Sequence, residues 1–289
     1  MRHNPAYQAS SGPKRVARRS ALIIALATAG ACVSAAVALA AAHSTMTIDF
    51  SPSALPPPGT GYATGKLSIH THTTYTKPGS ANGGATQRGQ IYFDDDIKFD
   101  TNAVPKCNPL DIDGNTTLQQ AMAACGSSLV GKGTVMAIAP NSLPDPGDNS
   151  FFINGCVRIF NGQGSTSEIL LFVRSQVSNP SNINCSTNGN QGTVSTLLHS
   201  DLTANPSSAG ADFVDPDNCS APSRLGCQLD VNNITTATPF PQVELNLNFQ
   251  QASFLTARCD DTPQQLNLRT IFTYNNATTQ TLNASKACS

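Results

Sequence analysis

Eight cysteines, Cys107, Cys125, Cys156, Cys185, Cys219, Cys227, Cys259 and Cys288, all follow an export-like N-terminal segment, and this combination limits the folds open to the chain. An even set of cysteines outside the cytoplasm reads as a disulfide framework. None of their spacings is CxxC, so neither a zinc ribbon nor a thioredoxin-like redox motif is supported. The expected pairing joins nearest neighbours: 107–125, 156–185, 219–227 and 259–288. Each closed loop contributes about 3 kcal/mol by restricting the unfolded chain. That matters in a sequence with no Trp and 6% aromatic residues, where large core-forming side chains are scarce.

The first 42 residues set the compartment. Arg2, Lys14, Arg15, Arg18 and Arg19 precede an uncharged, Ala-rich apolar run over 21–42. Basic residues, an apolar stretch and small residues at 38–42 form an export signal with a cleavage site. Uncleaved, the same run is long enough to cross a bilayer, which takes about 20 residues, and would leave the Arg cluster in the cytoplasm. Arg18-Arg19 half-matches a twin-arginine signal. That route exports chains already folded in a reducing cytoplasm and fits poorly with eight cysteines, so Sec-type export is the expectation. The mature protein is then secreted or at the cell surface, or alternatively a single-pass anchored protein. Of the 17 basic residues five lie in this segment, leaving twelve against 18 acids, about −6 for the remainder. That balance argues against nucleic acid and against anionic membrane surfaces, so the only expected membrane contact is residues 21–42 if uncleaved.

Residues 43–62, with Pro56-Pro57-Pro58-Gly59, read as a Pro-rich tether, and 63–289 as a single domain. From Lys66 the pattern has period two: Leu67, Ile69, Thr71, Thr73 and Tyr75 share one face, and Ser68, His70, His72 and Thr74 the other. Further strands are expected near 90–99, 133–138, 151–160, 168–177, 192–203, 242–250, 253–259 and 266–274, with Asn161-Gly162 marking a hairpin. One short helix near 116–125 begins at a Thr116/Gln119 capping box and stops at Gly126. About nine strands and one helix predict an all-β, antiparallel β-sandwich stapled by disulfides.

Chemistry is sparse. His70 and His72 occupy positions i and i+2 of one strand, so both imidazoles point the same way and suit one metal such as zinc, with His199 and a carboxylate as further ligands. Against this, Lys66, Ser68 and Thr74 share their face, which is also what a solvated strand looks like. Asp94, Asp95 and Asp96, and Asp111 with Asp113, offer oxygen ligands for calcium; the EF-hand pattern fails at Thr116 and Met122. No Gly-x-Ser-x-Gly elbow or phosphate-binding glycine loop occurs.

Four stretches together, Gly65 to Thr73, Phe93 to Phe99, Ala121 to Gly126 and Arg269 to Tyr274, resemble exported proteins of high-GC Gram-positive bacteria to which no activity is assigned. The resemblance implies an exported bacterial protein and transfers no site. The leading expectation is a non-catalytic binding or structural module meeting a protein or glycan partner. The alternatives are a metal-dependent hydrolase using His70 and His72, and a calcium-stabilised structural module.

Overall fold

The computed structural model describes residues 43–288 except 53, 58, 75–85, 114–115, 139–151, 165–166, 179–184, 187–193, 216–218, 221–224, 233, 235–241, 261–262 and 275–276; residues 1–42 lie outside the described part. Its strands in chain order are β1 (His43–Ser51), β2 (Ala63–Thr64), β3 (Lys66–Thr74), β4 (Thr86–Phe93) and β5 (Ile97–Phe99). After helix α1 (Leu118–Cys125) come β6 (Leu129–Ile138), β7 (Phe152–Asn161), β8 (Glu168–Ser178), β9 (Val194–Ala204) and β10 (Cys227–Val231). The chain finishes with β11 (Gln242–Phe249), β12 (Leu255–Ala257), β13 (Gln265–Tyr274) and β14 (Thr279–Ala287).

The expected all-β antiparallel fold with one short helix is present. Its main sheet has eleven strands rather than nine, ordered β1-β3-β11-β6-β7-β8-β9-β10-β4-β13-β14, and a small sheet adds β2-β12-β5. The two layers of the expected sandwich are two halves of this one sheet, curled until its edges meet. Ser44 of β1 donates to Gln280 of β14 at 2.7 Å, and Lys286 of β14 pairs with Asp49 of β1 at 3.1 Å. Apolar residues from nearly every strand point inward into one shared core.

All four expected disulfides are present. The helix begins one residue later than expected. Thr117 is its N-cap, accepting from the Gln120 amide at 3.2 Å while the Gln120 side chain accepts from the Thr117 amide at 2.8 Å. That register turns Leu118, Ala121 and Cys125 onto Phe160, Leu170 and Phe172, on the outer face of β7 and β8. The segment read as a tether is also corrected. Residues 43–51 form β1, paired with β3 along its whole length, because Met46 and Phe50 alternate into the core.

The registers define two rims. Residue pairs 43/74, 86/274, 138/152, 175/194 and 137/242 bring one set of strand ends together, here called the upper rim. At the lower rim, Phe93, Phe99, Phe249 and Phe254 stack edge-on with centroid separations of 4.8 to 6.3 Å, backed by the small sheet. Edge-to-face packing of this kind makes a dense plug. The lower half of the curled sheet is therefore filled.

Candidate functional site

Above that plug the inner walls separate and leave a cavity of about 180 Å³. Eight strands line it: β4, β6, β7, β8, β9, β10, β11 and β13. Its deep wall is Ile91, Val157, Leu171 and Leu247, all buried. Toward the upper rim Val135, Val173, Leu198 and Leu245 are only half-buried, so the cavity opens on that side.

Strand alternation explains most of the lining. On β8, Leu171, Val173 and Ser175 point inward, while Leu170 and Phe172 point out under α1. On β4 an irregularity intervenes: Thr273 pairs with Arg88 but Tyr274 with Thr86, so Gln87 is an extra residue and Thr86 turns inward beside Gly89 and Ile91. Sheet curvature has a local cause on β6. A Cβ on Gly131 would sit 2.5 Å from the Asn248 carbonyl oxygen, and one on Gly133 1.9 Å from that of Asn246. Only glycine lets β11 approach this closely and the sheet coil here.

Electrostatically the cavity is bare. Among the described residues none that lines it is ionisable, and the polar side chains there are the hydroxyls of Thr86, Ser175 and Thr196. The charged groups lie outside it. Arg88 on β4 is bound by Asp230 through two parallel contacts, which hold its guanidinium above its ordinary range.

The residues singled out from sequence fall in three separate places. His70 and His72 are on the outer face of β3; His70 Nε2 lies 3.0 Å from Glu244 Oε1, which also accepts from Asn246 at 3.2 Å. His199, on the outer face of β9, pairs with Glu168 at 2.6 Å. Asp94 and Asp96 are fully buried near the lower rim, and their oxygens accept from backbone amides of Asp96, Asn267 and Asp260 and from Arg258 Nε at 2.7 Å. The structure does not bring the histidines to the aspartates. Among the described residues no cluster of three or more His, Cys, Asp or Glu is arranged to hold a metal. Asp111 sits in a 3-10 turn with its side chain exposed, residues 114–115 after it lie outside the described part, and so does Tyr75.

Sequence reasoning missed the cavity itself. The alternation on β6, β8 and β11 announces an inward apolar face, but whether two such faces touch or stand apart depends on the curl of the sheet. No helix among the described residues is long and apolar enough to cross a membrane. No family model matches the chain, and no curated protein or solved structure matches it either.

Proposed function

We propose that this chain is an exported, non-catalytic binding module of the cell envelope or extracellular space that shelters a small apolar molecule inside its curled sheet. One observation carries the reading: an apolar cavity of about 180 Å³ walled by eight strands, with no charged group among the described residues that line it. Protein interiors are close-packed, with few voids larger than a water molecule. An apolar cavity of ~150 Å³ stays dry and takes up benzene or xenon, so a void of this kind is receptive rather than merely loose. Four disulfides suit an oxidising compartment and brace the walls.

The calcium reading gains nothing from Asp94 and Asp96, whose oxygens are engaged by amides and Arg258. The test is to titrate the exported protein with toluene, following methyl resonances. Shifts confined to Val135, Val157, Leu171 and Val173, with a negative heat-capacity change in calorimetry, are expected. Saturating toluene that leaves those methyls unmoved overturns the reading.

A further inference from the structure

We infer that the ligand is an uncharged amphiphile with a single aliphatic chain, its tail against the deep wall and a hydroxyl or ester head at the upper rim. This rests on the reading of the cavity as a binding site. Three features carry it.

The first is charge. A carboxylate or ammonium drawn inside would lose its hydration with no ionisable residue to meet it among the described residues of the wall. The second is a gradient of polarity along the cavity. Thr86 lies opposite Tyr274 and Ser175 opposite Val194, which places both at the upper rim; Thr196, opposite Val173, is diagonal to Ser175. The deep wall has only hydrocarbon. Hydroxyls both donate and accept, so they suit an alcohol or ester carbonyl and give no counter-charge. Ser175 donates to the Val194 carbonyl over 3.4 Å, a long bond that a ligand head readily replaces.

The third feature is size. Scaling from the ~150 Å³ cavity that holds the six carbons of benzene, about 180 Å³ holds roughly seven or eight carbons. Pockets for drug-sized ligands run from about 300 Å³ upward, so this cavity takes one slender chain and not a fused-ring lipid.

The experiment titrates the exported protein by calorimetry with n-alkanols from butanol to dodecanol, and with n-alkanoates of equal length at neutral pH, beside toluene. Affinity for the alcohols should rise about fourfold per methylene, the equivalent of ~0.8 kcal/mol, and level off near seven or eight carbons. Each alkanoate should bind about tenfold or more weakly than its alcohol. Gly89→Leu and Ala137→Leu, each adding a side chain to the wall, should move the plateau to shorter chains. A Cβ at Gly89 meets Ile234 and Phe272 at 3.5 and 3.6 Å, ordinary contact distances, so the added side chain starts without a backbone clash; circular dichroism and a urea midpoint establish that each variant is folded before it is titrated. Toluene binding with no chain-length dependence, or with alkanoates equal to alcohols, overturns this inference and leaves the binding reading standing. Failure of toluene and alcohols alike overturns both. Plateaus unchanged in both folded variants place the chain outside the cavity and also overturn it.

Discussion

At Asp96 one carboxylate ties two segments of the lower rim together, accepting from the Arg258 side chain and the Asp260 amide while its own carbonyl accepts from the Arg258 amide. Asp96 is the buried partner, and Arg258 keeps a second carboxylate, Asp260, at 3.2 Å. Asp96→Asn therefore weakens charge-assisted hydrogen bonds without orphaning the guanidinium, and should cost about 2 kcal/mol in urea unfolding. With those oxygens occupied, calcium and chelator should leave the wild-type midpoint where it is. Beside this pair the Tyr62 hydroxyl is buried and finds no hydrogen-bond partner among the described residues, while Arg258 and Lys98 sit over its ring at 5.0 and 5.6 Å. Burial, opposed by Arg258 and reinforced by Asp96, Asp215 and Asp95, pushes its phenol from 10.0 up to about 12. Between these values the unfolded chain gives up the Tyr62 proton and the folded chain keeps it, so stability falls as pH rises through that window. Tyr62→Phe should stabilise by about 1 kcal/mol at neutral pH and make the alkaline fall shallower, read from urea midpoints across the pH range. Burial raises Tyr92 and Tyr274 as well, so part of the fall persists. Little of this was legible in advance. Asn161 reads as a turn residue, yet its amide reaches the carbonyls of Thr101, Val104 and Pro105, partners some sixty positions away in the chain that no local pattern announces.

Among the elements, β6 makes the sharpest prediction because two of its glycines face backbone rather than space. Gly133→Ala would place a methyl 1.9 Å from the Asn246 carbonyl oxygen, forcing β6 and β11 apart. It should yield little folded protein, whereas Gly89→Ala, with its nearest neighbour at 3.5 Å, should fold with a midpoint at or above the wild type. Circular dichroism and urea midpoints of the two variants separate these outcomes. Strands with a clean alternation were readable. β3 and β13 bury every second residue, and their apolar positions say so directly. β14 was not readable, since Leu282 is its only buried residue and the rest of TQTLNASKA looks like a loop. β1 escaped for another reason, being judged together with the prolines that follow it. The helix was readable to within one residue: Thr116/Gln119 and Thr117/Gln120 satisfy the same capping pattern, and the packing of Cys125 toward Cys107 selects the second.

For the molecule as a whole, the disulfides were easier to foresee than the sheet they brace. Nearest-neighbour bridges close short loops, whereas the curled sheet depends on β11 inserting between β3 and β6 and on β4 between β10 and β13, pairings remote in sequence. The closure is also uneven. Adjacent strands are joined by backbone ladders, but β1 and β14 are the two ends of the strand order and meet through side chains, Ser44 with Gln280 and Asp49 with Lys286. An ion pair as exposed as the second adds little, on the order of 0–1 kcal/mol. Amides of β1 and β14 that face each other across this seam should therefore exchange through small local openings. Amides of β7 and β8, laddered on both sides and packed against the core, should exchange only near the global unfolding limit. The cavity draws its lining from β4, β6 to β11 and β13, and from neither seam strand. A saturating alcohol should slow exchange on β6, β8 and β9 and leave the seam amides at their free rates, measured by hydrogen exchange with and without ligand. Equal slowing at the seam would mean that the molecule opens as one unit, and that the wall holding the ligand is no more stable than the seam.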